Sequence, residues 1–287
     1  MIKKPLPQIR KGEFWNTLTG ETSVFCVLGN PVSHSMSPPM HNTAFRRRSL
    51  NAIYVPFQVN NLADAVSGMS ALGIKGASVT IPFKEDIMEL VDEVDDRAKK
   101  IGAVNTLLLN TEGILGTNTD WTGALRCLET LLPIEGHTFA VLGAGGAARA
   151  VLFGIAQKGG RAIVVNRSEK KGRALAEEFN TSFVVLSEVQ RLEGDCLVNT
   201  TPVGMHPKEH EMPVPKDILG RFKAVADVIY NPLKTMLLTK AEEAGCRIAT
   251  GFEMFVYQGV EQFELWTGLE APVQEMKDVV YDRLVNP

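Results

Sequence analysis

Near the middle of this chain, the sequence predicts a strand, a glycine-rich turn and a helix that follow one another directly. An apolar run over Thr138–Leu142 predicts a buried strand, and the later stretch AVLFGIA predicts a helix. The turn between them fits the pattern G-x-G-x-x-G/A in the context that the pattern requires. It consists of Gly143, Ala144, Gly145, Gly146, Ala147 and Ala148. We interpret it as a dinucleotide site; a glycine-rich turn without a ligand is the alternative.

Each position of this turn has a physical role in holding a pyrophosphate. Gly143 permits the tight turn, Gly145 lets the main chain approach the anion, and Ala148 lets the helix pack closely on the strand. The N–H groups at the start of the helix can donate to the phosphate oxygens. The turn therefore assigns cofactor binding to Gly143–Ala147.

The end of the next predicted strand, RAIVVN, distinguishes between the two common dinucleotides. An NAD enzyme has an Asp or Glu near this point, which binds the ribose diol. This chain has Asn166, Arg167 and Ser168 instead. A 2′-phosphate suits the Arg167 guanidinium, and Ser168 and Lys171 can add to its binding. The prediction is NADP(H); the alternatives are that Glu169 reaches the ribose, or that Arg167 is a solvated surface side chain.

Short β-branched or apolar runs alternate with helical patterns along the chain. The runs are SVFCVLG, YVPFQV, GASVTI, VNTLLL, TFAVLG, RAIVVN, CLVNT and AVADVIY. Strands separated by helices predict an α/β fold with mostly parallel sheets. A length of 287 residues divides most naturally into two domains, with a hinge expected before the strand at Thr138. Residues 1–22 are predicted to be an extension before the first strand.

Charge and composition exclude several classes of protein. A composition that is 45% hydrophobic and 22% charged is typical of a globular protein. With 30 basic and 33 acidic residues, the chain has no excess positive charge with which to bind a nucleic acid or an anionic membrane. No apolar stretch is long enough to span a membrane and no secretory leader is evident, so we expect a cytoplasmic protein. Neither the cysteines nor the histidines have metal-ligand spacing, so no metal is expected.

The first half of the chain carries more polar motifs than packing requires. Hydroxyl, amide, amino and carboxylate groups follow its predicted strands, at Ser35, Ser37, Ser78, Thr80, Lys84, Asn105 and Asp120. Such a set suits a polyhydroxylated small molecule. Structural alternatives exist for three of them, because Ser37 and Asp120 could cap helices and Lys84 could be a surface lysine that opens a helix.

Several segments, in this order and at these separations, closely resemble the shikimate dehydrogenase family. They are GNPVSHSMSP, KGASVTIPFKE, IGAVNT, GTNTD, GAGGAARA, NRS and GFEMFVYQG, and the resemblance extends from about Val24 to the C-terminus. It implies an α/β substrate domain, a Rossmann-like NADP domain, and C-terminal helices that return to the first domain. The implied bounds are 23–120 plus 251–287 for the substrate-binding and catalytic domain and 121–250 for the NADP domain.

The resemblance also implies roles for individual residues. It assigns catalysis to Lys84 and Asp120. It assigns substrate binding to Ser35, Ser37, Ser78, Thr80, Asn105, Tyr230 and Gln258. Beside the turn and loop residues already named, it assigns cofactor binding to Thr200, Val228 and Gly251. Many members have asparagine where this chain has Ser78, which weakens the prediction of a substrate contact at this one position. A serine does occur there in fused plant relatives.

The reaction implied is the reversible transfer of hydride between NADPH and the ring ketone of 3-dehydroshikimate, giving shikimate for chorismate and aromatic amino-acid biosynthesis. Lys84 is expected to donate the proton and Asp120 to hold the lysine. One alternative is a quinate/shikimate dehydrogenase that uses NAD, which GVEQFELWTG also resembles. Another is a sensing domain that binds the ligand without turnover, which Lys84 and Asp120 disfavour. The expected partners are a small-molecule substrate, neither nucleic acid nor membrane, and at most a second copy in a homodimer.

Overall fold

The computed structural model describes residues 18–286. The predicted extension over residues 1–22 therefore lies, as far as residue 17, outside the described residues. The described chain separates into two units. The first unit comprises the described residues up to Thr119 and those from Gln258 onward, and the second unit comprises Asp120–Tyr257.

The first unit contains both strands and helices as far as Thr119. The strands are β1 (Ser23–Gly29), β2 (Ala52–Gln58), β3 (Gly76–Val79), β4 (Glu93–Val94), β5 (Thr106–Asn110) and β6 (Gly113–Thr117). The helices are α1 (Ser37–Arg47), α2 (Leu62–Ala71) and α3 (Asp96–Ile101). Side chains cap two of them: Asn61 accepts from the N–H groups of Ala63 and Asp64, and Asp95 accepts from Ala98.

The second unit also contains both strands and helices. Its elements are α4 (Asp120–Glu129), β7 (Thr138–Leu142), α5 (Gly146–Gln157), β8 (Arg161–Asn166), α6 (Glu169–Glu178), β9 (Ser182–Val185), β10 (Cys196–Asn199), β11 (Ala224–Asp227), α7 (Met236–Glu243) and β12 (Arg247–Ala249). Helix α8 (Gly251–Thr267) begins in the second unit and ends in the first, where α9 (Val273–Val285) follows it.

The sheet of the first unit is mixed, with the strand order β2-β1-β3-β5-β6-β4. Strand β1 pairs in parallel with β2 and β3, whereas β5 is antiparallel to both β3 and β6. Two residues join β5 to β6, with Asn110 opposite Gly113. So short a connection can only reverse the chain, and Gly113 has the positive φ of +124° that favours glycine. The expected parallel pairing therefore fails at this hairpin.

The sheet of the second unit is parallel throughout, with the order β12-β11-β10-β7-β8-β9. Alternate residues of β7 pack on opposite faces: Phe139 and Val141 lie in one apolar cluster, Ala140 and Leu142 in another. Both faces are therefore covered, as in Rossmann-like folds. The chain leaves β7 toward β8 and returns to β10 on its other side, and ligands of such sheets bind at the carboxyl ends of these strands.

The predicted fold class, two α/β regions of which one is Rossmann-like, is confirmed. The strand pattern missed β4, β6, β9 and β12; β4 and β12 have only two and three residues, and β6 contains two glycines. The second division between the units lies inside α8, later than the expected position after residue 250. The reason is local packing, because Met254 belongs to an apolar cluster of the second unit and Phe255 stacks on Tyr230 at 4.1 Å.

Among residues 18–286, no helix has both the length and the apolar character needed to cross a lipid bilayer.

Candidate active site

The loops that follow β1 and β3 lie side by side in the first unit. Thr80 N–H donates to the Leu28 carbonyl at 2.9 Å, and Asn30 N–H donates to the Ile81 carbonyl at 3.0 Å. A Cβ at Gly29 would collide with the Thr80 methyl group, so the absence of a side chain lets Thr80 lie against the end of β1. Two of the predicted polar motifs therefore meet at the carboxyl ends of β1 and β3.

The serine motif after β1 leads directly into α1. Ser37 is the first helical residue and Ser35 Oγ accepts from its N–H at 3.2 Å. The N-cap position belongs to Met36, whose side chain makes no capping bond, so the alternative of Ser37 as the N-cap is wrong. Pro38 in the first turn fixes the helix start without losing a main-chain bond, because N–H groups there have no partner within the helix. Ser37 is buried and Ser35 half-buried.

Lys84 and Asn105 are brought together by their main chains. The Lys84 carbonyl accepts from Val104 N–H at 2.7 Å, which places the lysine beside the start of β5. Lys84 is half-buried, and it comes just before a turn of 3-10 helix over Asp86–Glu89. Asn105 is only 2% exposed, and its Oδ1 accepts from Thr119 N–H at 2.8 Å. Asp120 follows Thr119 as the first residue of α4 and is buried in turn.

The hydroxyl of Ser78 is engaged on two sides inside the first unit. It accepts from Tyr54 Oη at 2.6 Å and donates to Gln262 Oε1 at 2.7 Å. Gln258, one helical turn before Gln262 on α8, is 9% exposed. The sequence assigns ligand binding to Gly251 and Gln258 of this helix but not to Gln262. Its only sequence signal was a second glutamine at i+4, on the same helix face.

The glycine-rich turn of the second unit has the geometry that its sequence predicts. Gly143 has a φ of +118°, and a Cβ there would lie 2.5 Å from Thr200 Oγ1. That hydroxyl donates to the Leu142 carbonyl at 2.6 Å, which ties the end of β7 to β10. Gly145 is the extended N-cap of α5, without a side-chain cap or an acidic residue in the first turn. The first N–H groups of α5 therefore suit an anion, which fits a dinucleotide pyrophosphate.

The loop after β8 is fixed by its own side chains. Asn166 Nδ2 donates to the Ser168 carbonyl at 2.9 Å, and Ser168 Oγ caps α6 by accepting from Lys171 N–H at 3.4 Å. Glu169, the residue that could have favoured NAD, pairs with Arg173 at 2.7 Å, one turn further along α6. Arg167 is exposed at the loop tip. The loop thus suits a 2′-phosphate better than a bare ribose diol.

Val228 and Gly251 lie against each other at the carboxyl end of β11. Val228 N–H donates to the Asn199 carbonyl at 3.0 Å, and a Cβ at Gly251 would collide with the Val228 carbonyl. Gly251 N–H donates to Ile229 O at 3.1 Å, so α8 starts in contact with this strand end. Tyr230 lies two residues after Val228, and its side chain is half-buried.

A buried carboxyl that the sequence patterns did not reveal organises that segment. Asp227 is fully buried and accepts from Asn199 Nδ2 at 3.1 Å, from Ile229 N–H at 3.1 Å and from Thr235 Oγ1 at 2.8 Å. Burial raises its pKa to about 7, against the opposing effect of those three bonds. Its sequence signal was a single Asp at the end of an apolar run, which a strand-end turn explains equally well.

The residues that the structure describes contain no group of three or more His, Cys, Asp or Glu side chains that could hold a metal ion. All four cysteines are buried and none forms a disulfide.

Fold and site together define a two-unit α/β protein with a Rossmann-like dinucleotide unit, of the class to which dehydrogenases belong. Two family models match the chain: the shikimate dehydrogenase substrate binding domain over residues 27–107, and the shikimate 5′-dehydrogenase C-terminal domain over residues 251–281. A shikimate dehydrogenase (NADP(+)) of Methanothermobacter thermautotrophicus is 43% identical over 281 residues, 94% of this chain and 99% of the relative. The chain belongs to the shikimate dehydrogenase family, as its motifs predicted.

Solved structures agree with this assignment. A crystal structure of shikimate dehydrogenase in complex with NADP+ is 38% identical with a TM-score of 0.86, covering 93% of this chain and 97% of that chain. The shikimate 5-dehydrogenase of Thermus thermophilus, in complex with NADP(H) and shikimate, is 34% identical with a TM-score of 0.82. The second comparison covers 90% of this chain and 98% of that one.

Proposed function

We propose that this chain catalyses the reversible, NADP-dependent reduction of 3-dehydroshikimate to shikimate. The observation that carries the proposal is the convergence of the loops after β1 and β3 with the start of β5, which groups Thr80, Lys84 and Asn105 in the first unit. Membership of the shikimate dehydrogenase family supports it, and so do the relatives whose structures hold NADP and shikimate. The main function predicted from the sequence is thus favoured over both alternatives.

The proposed substrate site uses neutral groups for the polyol and one cation for the ketone. Ser35 and Ser37 would bind the carboxylate, and hydroxyl and amide groups would bind the ring hydroxyls. The residues proposed for this second task are Ser78, Thr80, Asn105, Tyr230 and Gln258. A buried donor or acceptor that loses its partner costs about 1–3 kcal/mol, so such a site discriminates strongly between polyols.

Lys84 is proposed as the group that acts on the reacting oxygen. Reduction turns the ketone carbon into an alcohol carbon and leaves negative charge on oxygen, so a cationic donor stabilises the transition state more than the ground state. In the reductive direction Lys84 donates a proton to that oxygen, and in the reverse direction its neutral amine takes the proton back. Asp120 is proposed to bind the lysine ammonium and a ring hydroxyl, which would orient both.

NADPH supplies the hydride when it is bound. The proposed phosphate-binding residues are the turn Gly143–Ala147 at the start of α5 and the loop that contains Asn166, Arg167, Ser168 and Lys171. Thr200, Val228 and Gly251 are proposed to line the nicotinamide side, where β10, β11 and α8 end or begin. The proposed domains keep the bounds of the sequence prediction, residues 23–120 with 251–287 for the substrate and residues 121–250 for NADP, and Tyr230 and Gly251 are the two exceptions.

Absorbance at 340 nm tests the proposal directly. Purified protein is mixed with shikimate or quinate and with NADP or NAD at one pH, and initial rates are recorded. We expect NADPH formation with shikimate, at a kcat/KM at least about tenfold above that with quinate, because the motif offers no partner for the additional hydroxyl of quinate. Equal efficiency on quinate with NAD would favour the quinate/shikimate dehydrogenase, and no absorbance change in any mixture would favour a sensing domain.

The protein is proposed to act in the cytoplasm as a monomer or homodimer. Light scattering during size-exclusion chromatography measures its mass, to be compared with 31.4 kDa for one chain.

A further inference from the structure

Helix α8 carries a second glutamine, Gln262, that belongs to none of the proposed binding or catalytic sets. Its side chain is fully buried in the first unit. Its Nε2 donates to Thr106 Oγ1 at 2.9 Å and to the Asn105 carbonyl at 3.2 Å, and its Oε1 accepts from Ser78 Oγ at 2.7 Å. One side chain of α8 is thereby bonded to both β3 and β5.

These bonds form a chain that has one direction. Tyr54 Oη donates to Ser78, Ser78 donates to Gln262, Gln262 donates to Thr106, and Thr106 Oγ1 donates to Asn105 Oδ1 at 2.7 Å. A hydroxyl has only one hydrogen, so a serine or threonine that donates forward must accept from behind. We call this series of hydrogen bonds from Tyr54 to Asn105 the relay.

The amide of Gln262 fits the relay in one orientation only. Turning it over would set its oxygen against the Asn105 carbonyl and its NH₂ group against a Ser78 hydrogen. Two acceptors would then face each other in a buried site, which costs about 1–3 kcal/mol for each unsatisfied group. Consecutive bonds in a low-dielectric interior also strengthen one another, so the relay is held as a unit.

The relay and Thr119 together fix how the Asn105 amide is presented. Two donors, Thr106 Oγ1 at 2.7 Å and Thr119 N–H at 2.8 Å, occupy Asn105 Oδ1, and Nδ2 donates to Thr119 Oγ1 at 3.0 Å. With its oxygen engaged by two donors, the amide acts toward a polyol as a hydrogen-bond donor. Reversing it would break the bond with Thr106 and the bond with Thr119 N–H together.

An apolar residue at position 262 would be the simpler solution for folding. Two of its neighbours on α8, Phe263 and Trp266, are apolar and buried, and Trp266 Nε1 already bonds α8 to the Leu107 carbonyl of β5 at 3.0 Å. Burying an amide is costly unless every bond is made, and making every bond fixes one geometry. A fixed geometry is what a substrate-binding amide needs.

We propose that Gln262 is a positioning residue for the substrate: acting through Thr106, it holds the Asn105 amide as a donor to a ring hydroxyl of shikimate. Gln262 itself need not touch the substrate. The inference rests on the proposed binding role of Asn105. It predicts that breaking the relay changes the affinity for shikimate while the reaction step and NADP binding stay close to normal.

Steady-state kinetics of four variants of the full-length enzyme test this. Gln262→Met removes the amide with little change of volume, and Thr106→Val removes only the hydroxyl between Gln262 and Asn105. Both are expected to raise the KM for shikimate about tenfold, the value of one neutral hydrogen bond, with kcat and the KM for NADP within about twofold of the wild type. Thr106→Ser keeps a hydroxyl and is expected to restore the KM. Trp266→Phe is the matched control, because it breaks another buried bond between α8 and β5 outside the relay.

The melting temperature of each variant is measured beside its KM for shikimate, so that a loss of stability can be told apart from a loss of substrate binding. If Gln262→Met and Thr106→Val lower the melting temperature like Trp266→Phe and leave the KM for shikimate unchanged, the relay is only structural and the proposal is wrong. Thr106→Val gives the same decision if Gln262→Met fails to fold. A raised KM in both relay variants, but not in Trp266→Phe, supports it.

Asn105→Ala separates a failure of this inference from a failure of the proposed site. If Asn105→Ala leaves the KM for shikimate unchanged, the binding role of Asn105 is wrong and the inference falls with it. If Asn105→Ala raises the KM and the relay variants do not, the inference alone is wrong. In the double variant Gln262→Met/Asn105→Ala we expect no increase in KM beyond that of Asn105→Ala, because residues that act through one contact are not additive.

Discussion

In the first unit the candidate site is made of side chains that bond one another, whereas in the second it is made mainly of main chain. Asn105, Ser78 and Gln262 hold their positions through buried hydrogen bonds between distant parts of the sequence. The nucleotide turn needs only the conformation of Gly143 and the first N–H groups of α5. A polyol with a specific pattern of hydroxyls requires fixed donors and acceptors, whereas a pyrophosphate is recognised largely by charge and shape.

This contrast predicts that single substitutions will act differently in the two units. A side-chain site should lose substrate binding or turnover with little change in cofactor affinity. A main-chain site should tolerate most side-chain changes and fail where backbone geometry or a charged contact is lost. Four experiments address this difference, starting from the largest expected effect.

Replacing Lys84 with Met should lower kcat by about 10²–10⁴-fold, the usual contribution of a general acid, with a much smaller change in the KM for shikimate. Dissociation of NADP, measured by fluorescence titration, should be unaffected. Lys75→Met, at an exposed lysine of the same unit, is the control and should behave like the wild type. If Lys84→Met retains most of its turnover, Lys84 is not the proton donor.

Replacing Arg167 with Ala should weaken NADP by ~10–100-fold and leave NAD nearly unchanged, because only NADP carries the 2′-phosphate. Isothermal titration with both cofactors measures this. Arg191→Ala is the control, since Arg191 is an exposed arginine of the same unit that pairs with Glu188. Equal losses for the two cofactors would show that Arg167 does not bind the 2′-phosphate.

Replacing Gly143 with Ala should lower the free energy of unfolding by about 1–3 kcal/mol, because the φ of +118° is strained for any side chain and the new Cβ would meet Thr200 Oγ1. Urea unfolding gives the value, and NADP titration should show weaker binding. At Gly220 a Cβ meets no atom within 4 Å, so Gly220→Ala is the control. A stable Gly143→Ala protein with normal NADP affinity would contradict the main-chain account of this site.

The two units should also respond in opposite directions to pH. In the first unit, burial lowers the pKa of His41, whose ring stacks on Tyr54 at 4.6 Å, to about 3. The unfolded chain takes up that proton near pH 6.5, so stability is lost as the pH falls below 6.5. In the second unit the pKa of Asp227 is raised to about 7, so its contribution is complete below about pH 4 and is lost as the pH rises through 7.

Calorimetric unfolding between pH 4.5 and 6.5 tests this pair. Each group alone changes the free energy of unfolding by at most about 1.4 kcal/mol per pH unit. His41→Phe should make stability rise less steeply with pH than in the wild type, and Asp227→Asn should make it rise more steeply. If both variants change the slope in the same direction, one of the two assignments is wrong.

Sequence patterns were most informative where a local rule fixes the backbone. The glycine turn was predicted residue by residue, since a tight turn at Gly143 and close approach at Gly145 are properties of neighbouring residues. The relay was not, because Ser78 and Gln262 are 184 residues apart and each alone is an ordinary polar residue. The antiparallel hairpin of β5 and β6 was missed because β6, with two glycines in five residues, gives no strand signal. The contact between Ser78 and Gln262 depends on tertiary structure, which a linear pattern does not contain.

The point at which α8 passes from one unit to the other has a consequence for how the chain folds. The second unit is a single continuous segment, Asp120–Tyr257. The first unit is made of two segments of the chain, and the bonds of Gln262 and Trp266 to β5 join the earlier segment to the later one across the whole second unit. Bringing such distant pieces together as one loop carries a large entropic cost, which falls when the intervening segment is already compact. A second unit that is already compact lowers this cost, so we expect the bonds between α8 and β5 to be among the last in the first unit to form.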